Sequence, residues 1–418
     1  MTLNDYELNR TMKTTGSQLL ALGAALLLAP LTSTLAQSTW ETVDALTPWR
    51  GRAIAADTAG NFISLALDNG ATGSTGVVST AVSLSADHGA TWQTVGSIPG
   101  YALKLAAAPD GTLYASGNRS ATVRGKAFVW SSQDHGVTWT ASDPWAGQAQ
   151  TNALLSEDLA AGPSGAVYLC GFVSGGGKWV VCKGQPTSSG LVWSTADTVA
   201  GTSPYSIAVR PNPAAQPDQV FVCGNASGSA WTVRRSLDGG ATWTTVQAAS
   251  LGTAYSVAVG PSGDVYVNGA SSTNLITGTN VTTTIVRHQK VVTTNYTTTT
   301  FSGWLVQKST DGGATWASVD FTTNGRTAYA RSLAADAFGR VFAVGNLTTT
   351  PNTWLVRGSA DGGATWVTTD LFLPAGATAS YAYGIASDAE GNVCVIGDAN
   401  ASGAASSYLA PIRRLAAP

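Results

Sequence analysis

The sequence predicts an all-β fold, a seven-bladed β-propeller of four-stranded antiparallel blades whose last blade is closed by the N- and C-terminal strands. Three observations predict it. An eight-residue turn pattern occurs five times, a strand-turn-strand element occurs seven times in register with it, and the two chain ends each read as part of one unit. Composition agrees, because 47 glycines, 14 tryptophans and abundant Thr, Ser and Val favour short strands joined by tight turns.

In chain order, an apolar run from Leu19 to Leu31 precedes Thr34-Leu35-Ala36, a small-x-small pattern of the kind signal peptidase cleaves, and Lys13 supplies positive charge before it. Residues 1–36 are therefore expected to be a signal peptide, and residues 37–418 a single periplasmic or secreted propeller. The apolar run is short for a bilayer span, so no membrane anchor is expected. Charged residues are only 11% of the chain and the net charge is −2, which argues against nucleic acid as a partner.

The turn pattern Ser-x-Asp-x-Gly-x-Thr-Trp runs from Ser85 to Trp92, Ser132 to Trp139, Ser236 to Trp243, Ser309 to Trp316 and Ser359 to Trp366. Each residue type has a job in a hairpin: the Asp accepts backbone N–H groups, the Gly supplies a positive φ, and the Trp opens the next strand as a buried plug. Asp87, Asp134, Asp238, Asp311 and Asp361 are on this ground structural. Following the tryptophan alone adds Trp40 and Trp193, and the spacings become 52, 47, 54, 50, 73 and 50 residues, which fits a four-stranded blade.

The second element is typified by Ser256-Val257-Ala258-Val259 followed by Gly263 to Gly269, with copies at Ala53, Lys104, Asp158, Ser206, Ser332 and Gly384. It reads as an inner strand, a turn and a second strand ending at Gly. Tyr408 to Leu415 looks like a third strand with no turn after it, and Trp40 opens a fourth strand with no turn before it, so the two ends should share a blade. The 73-residue spacing holds an insertion at about 271–301, expected to form a β-ribbon around Arg287 and His288 that serves as a lid or docking arm, or is merely a tolerated hairpin.

The turn motif is similar to the Asp box of BNR repeats, and on it residues 37–418 resemble the propellers of sialidases, xyloglucanases, sortilin-type receptors and the photosystem II assembly factor. That company mixes hydrolases, receptors and assembly factors, so the resemblance implies architecture rather than chemistry. The expected function is a glycan- or protein-binding module that makes contact through its channel mouth, Trp49, Trp145 and the 271–301 ribbon, with a sialidase-like or xyloglucanase-like glycoside hydrolase as the alternative. The Arg-Ile-Pro tripeptide expected of a sialidase is absent, and Arg50-Gly51-Arg52 lies where it would be.

Function then rests on residues that break the repeat. Trp49 and Trp145 stand outside the repeated tryptophan positions, in loops where they either stack on a ligand or plug blade ends. The residue before each inner-strand copy should form a ring at the mouth of the central channel: Arg52, Leu103, Glu157, Tyr205, Tyr255, Arg331 and Tyr383. Glu157 is the one catalytic candidate, and strand alternation argues that the adjacent Asp158 points away from it. Asp44, Asp143, Asp197, Asp320 and Asp370 all lie four residues after a motif tryptophan, and their recurrence argues for turn chemistry. No cofactor or metal motif is present, and the expected state is a monomer that binds a glycan or an extracytoplasmic protein. A hairpin centred on Gly176 would set Cys170 opposite Cys182, so at most one disulfide, between these two, is expected.

Overall fold

The computed structural model describes residues 39–46, 49–68, 79–118, 126–146, 153–175, 177–210, 216–226, 230–286, 289–322, 328–401 and 408–417. The expected signal peptide and the tip residues Arg287 and His288 lie outside these residues. Among the described residues there are 27 strands and no helix, and none of them forms a helix able to cross a membrane.

The strands form antiparallel sheets in sequence order. The first holds β2 (Trp49–Ala56), β3 (Phe62–Asp68), β4 (Ser79–Ser85) and β5 (Gln93–Pro99). The second holds β6 (Tyr101–Ala107), β7 (Leu113–Asn118), β8 (Ala127–Ser132) and β9 (Thr140–Ser142). Next come β10 (Leu154–Ala161), β11 (Val167–Val173), β12 (Lys178–Thr187), β13 (Gly190–Arg210), β14 (Gln219–Ala226), β15 (Ala230–Ser236) and β16 (Thr244–Ala249). These seven count as one sheet only because β13 pairs with β12 along residues 190–200 and then with β14 along residues 201–210. Two further four-stranded sheets comprise β17 (Thr253–Val259), β18 (Val265–Val286), β19 (Gln289–Ser309) and β20 (Ala317–Thr322), then β21 (Ala328–Ala335), β22 (Val341–Leu347), β23 (Thr353–Ser359) and β24 (Val367–Phe372). In the last, β25 (Ala377–Ser387), β26 (Val393–Ala401) and β27 (Tyr408–Leu415) are joined by β1 (Glu41–Leu46), which pairs with β27 from Glu41↔Arg414 to Leu46↔Ala410.

The first strand of each unit packs on the first strand of the next: β2 on β6, then β10, β13, β17, β21 and β25, and β25 packs on β2. Four-stranded sheets standing around their innermost strands make a β-propeller. Its core lies between neighbouring sheets, where Trp130, Trp179, Trp231, Trp304 and Trp354 are almost fully buried.

The repeated turn works as its residue types require. In the 309–316 copy, Asp311 Oδ1 accepts the Thr315 amide at 2.8 Å and the Ser309 hydroxyl at 2.8 Å, Oδ2 accepts the Thr315 hydroxyl at 2.6 Å, and Trp316 Nε1 donates to Gly313 O at 3.0 Å. Hydrogen bonds from the threonine hydroxyl, the threonine amide and the serine hydroxyl hold the Asp134 and Asp238 carboxyls down at about 2. The turns also latch neighbouring sheets. Lys183, Arg235, Lys308 and Arg414 each donate to the carbonyl of the turn's fourth residue in the following sheet, Gly239, Gly312, Gly362 and His88, at 2.6–2.8 Å. Gly313 has φ 100°, and a Cβ there would stand 2.9 Å from Val246 Cγ2. Gly313→Val should therefore cost about 1–3 kcal/mol without changing ligand affinity, as thermal unfolding and a binding titration on one sample would establish.

Three of the five aspartates that follow a motif tryptophan do something other than turn chemistry. Asp197, Asp320 and Asp370 sit at bulges in the outermost strands and receive a two-nitrogen clamp from an arginine of the next sheet. Arg234 reaches Asp197 at 2.6 and 2.9 Å, Arg413 reaches Asp370 at 2.7 and 3.0 Å, and Arg357 clasps Asp320 in the same way. Their recurrence reflects sheet-to-sheet ion pairs. Asp143 does cap a turn, accepting the Trp145 amide at 3.0 Å.

The Cys170–Cys182 bridge is not formed, and all four cysteines are buried free thiols. The hairpin pairs Val173 with Lys178, so Cys170 lies opposite Val181 and Cys182 opposite Leu169. A register one residue away from the expected one sends the two side chains to opposite faces. Cys170 accordingly packs with Trp179 and Val222, and Cys182 with Leu154 and Val129. Burial pushes the Cys182 thiol up to about 12. A thiol reagent should find none of the four cysteines in the native protein and all four in denaturant; fewer than four in denaturant would reinstate a bridge.

Strands β18 and β19 extend past their sheet as a two-stranded ribbon, paired from Ser271↔Gly303 out to Val286↔Gln289 with one bulge between Ile276 and Gly278.

Candidate functional site

The seven expected ring residues are brought together, and the backbone shows why they project. In every innermost strand the pairing register skips one residue: Arg52 in β2, Leu103 in β6, Glu157 in β10, Tyr205 in β13, Tyr255 in β17, Arg331 in β21 and Tyr383 in β25. A bulge leaves one residue unpaired and re-aims its side chain. All seven line one cavity of about 540 Å³, completed by Lys104, Tyr329 and Ala330.

The bulge has a sequence signature. It brings a carbonyl of the innermost strand against the second strand, so a Cβ at Gly117 would lie 1.8 Å from Tyr101 O, and one at Gly345 1.8 Å from Tyr329 O. In the first sheet the glycine changes strand: Gly51 pairs with Ala66.

Bulging also revises the relation between Glu157 and Asp158. Glu157 lines the mouth, and Asp158 lines the narrower channel space of about 150 Å³ that shares Arg52, Lys104 and Tyr383 with it. Strand alternation fails here because the register slips between Ser156 and Asp158, so both carboxyls face the channel. Asp158 is engaged: Oδ2 accepts the Ile207 amide at 3.1 Å, and Oδ1 lies 3.8 Å from Lys104 Nζ. Burial pushes the Glu157 carboxyl up to about 7, with Lys104 opposing the rise and Asp158 adding to it.

Across the mouth, the guanidinium carbons of Arg52 and Arg331 lie 4.8 and 4.9 Å from the Tyr383 ring centre. Tyr205 and Tyr255 meet edge to face at 5.3 Å. Beneath this wall sits Asp398, a fully buried carboxylate that accepts Arg50 Nε at 2.9 Å and lies 3.9 Å from Arg52 Nη1. Its Oδ1 and the Arg52 Nε are buried without a partner among the described residues. Burial raises the Asp398 carboxyl above the ordinary range even though Arg52 and Arg50 oppose the shift.

The two singled-out tryptophans do not join the mouth. Trp49 is the half-buried first residue of β2, paired with Asp68, and Trp145 packs against the cluster that includes Leu154 and Val129. Sequence reasoning missed Lys104, Tyr329 and Asp398. Asp398 had a partial signal: the residue after the second-strand glycine is Asn118, Asn225 or Asn346 in three other sheets and the uncharged Phe172 or Ala270 in two more, and it is charged only at Asp398.

No family model matches the sequence, and no curated protein matches it. Solved structures do. A fungal alcohol oxidase of the AA5 family, in complex with copper, aligns with a TM-score of 0.56 at 12% identity over 91% of this chain and 76% of that one. YCF48 bound to D1 peptide gives 0.51 at 12% identity, covering 91% and 97% of the two chains. The GH74 xyloglucanase from Xanthomonas campestris gives 0.51 at 15% identity, covering 89% of this chain and 55% of that protein. At such identities the likeness is one of fold, and the fold it establishes is the β-propeller.

Proposed function

We propose that the chain is an exported, seven-bladed Asp-box propeller, closed by the pairing of β1 with β27, whose channel mouth binds a glycan or an extracytoplasmic protein segment. The observation that carries this reading is the wall of the 540 Å³ cavity, where Tyr205, Tyr255, Tyr329 and Tyr383 stand beside the guanidiniums of Arg52 and Arg331. Tyrosine rings offer flat apolar faces with a polar tip, which suit sugar faces or a partner's side chains, and the arginines supply directed donors for hydroxyl or carboxylate oxygens. Binding of oligosaccharides by the purified mature chain, measured by calorimetry, tests it. Arg331→Ala should weaken the ligand found by about 10-fold or more with little change in melting temperature. An affinity unmoved by Arg331→Ala would remove the mouth from the reading.

A glycoside hydrolase is the second reading, favoured by a Glu157 carboxyl that burial pushes up to about 7, which lets it keep its proton to higher pH, as a general acid must. Turnover of aryl glycosides that disappears in Glu157→Gln would decide for it.

A further inference from the structure

The face opposite the mouth holds a second cluster of functional side chains. His88, the fourth residue of the 85–92 turn, has a left-handed φ of 58°, at a position where Gly239, Gly312 and Gly362 take φ values of 67°, 68° and 65°. Its Nδ1 lies 2.9 Å from Asp388 Oδ2 and 3.8 Å from Glu390 Oε2, both in the turn between β25 and β26, 300 residues away for Asp388. The three ligand atoms fall within 4.8 Å of one another. Asp388 is buried, and Asn392 fixes its carboxylate with a backbone amide at 2.7 Å and a side-chain amide at 2.8 Å. Among the described residues no lysine or arginine pairs with Asp388 or Glu390. Arg414, close by, is spent on His88 O, Glu41 and Asn392.

The neighbouring seam is an internal comparison. His135 Nδ1 lies 3.7 Å from Asp57 Oδ2, in a turn that shares the Asp, Gly and Asn of 388–392 but has Thr58 in the place of Ala389 and Ala59 in the place of Glu390. Among the described residues, a third donor joins a His–Asp pair only where the first sheet meets the last.

We propose that His88, Asp388 and Glu390 bind a divalent cation of the zinc class, joining the first sheet to the last. One imidazole nitrogen with two carboxylates is a zinc ligand set, the bonds run at about 2.0–2.2 Å, and water takes the remaining position. Neutral imidazole Nδ1 is the donor, and Asn392 is the outer partner that orients Asp388. Because the ligands meet only in the folded chain, the cation binds the native state alone and raises stability by mass action.

The test is zinc chloride titrated into chelator-stripped mature protein, followed by calorimetry and thermal unfolding. The expected result is one zinc per chain and a melting temperature that rises with zinc and falls back with chelator. His88→Gly installs the residue found in three sister turns, so it should stay folded yet lose affinity by about 10-fold or more. Glu390→Gln should weaken zinc as well, and His135→Gly should leave it unchanged. Absence of stoichiometric zinc binding overturns the proposal, as does binding that survives His88→Gly or is lost in His135→Gly.

Discussion

Gly345→Val is expected to destabilise the protein by about 3 kcal/mol or more and to abolish ligand binding at the mouth in whatever folded fraction remains. The first atom of any side chain at this position would lie 1.8 Å from Tyr329 O, a backbone atom with nowhere to go. Relief requires flattening the bulge of β21, and that bulge is what turns Arg331 into the cavity. If the mouth binds a ligand as proposed, stability and recognition are coupled through this glycine, in contrast to Gly313, whose turn lies on the opposite face. Denaturant unfolding would measure the first effect, and a titration below the transition the second. A variant with an unchanged midpoint would mean that the bulge does not depend on the close approach.

Glu157→Gln is expected to stabilise the protein above neutral pH and to do nothing in acid. The Glu157 carboxyl sits at about 7 in the folded chain against an ordinary 4.5, with burial the main cause. Below the ordinary value both folded and unfolded chains hold the proton, and the residue costs nothing. Between 4.5 and 7 the unfolded chain releases a proton that the folded chain keeps, so stability falls as pH rises. Above that window the full penalty stays. The glutamine variant, which cannot titrate, should match the parent near pH 4 and exceed it by about 2–3 kcal/mol at pH 8. Equal stabilities at both pH values would show that Glu157 is solvated. If the chain is a hydrolase, the same substitution ends turnover, which keeps the two roles of the residue separable.

Much of the fold was legible because a repeat states its own rules. Asp311 and Gly313 recur with the same neighbours in the other turn copies, and their chemistry is local: the carboxylate closes on an amide and a hydroxyl four residues away. The ring at the mouth was legible for the same reason, since Arg52, Tyr205 and Arg331 hold one repeat position while their side chains differ. What the repeat could not state were departures of half a turn or one register step. Cys170 and Cys182 are separated by a hairpin whose closing pair, Val173 and Lys178, is fixed by packing on both faces, and one step decides whether two thiols can meet. Glu157 and Asp158 look opposed on an ideal strand, yet a bulge sets both toward the channel.

By itself the sequence determined the all-β class, the four-strand unit, the structural status of Asp87, Asp134, Asp238, Asp311 and Asp361, and the membership of the ring, because each depends on interactions within one repeat. Tertiary structure alone decided which charges meet. Arg234 finds Asp197 in the preceding sheet, Arg50 and Arg52 reach Asp398 across 348 and 346 positions of chain, and His88 meets Asp388 across 300. Those encounters depend on how one sheet stands against its neighbour, which is set by the packing of whole sheets around the channel and by the meeting of the first with the last. No spacing along the chain records it.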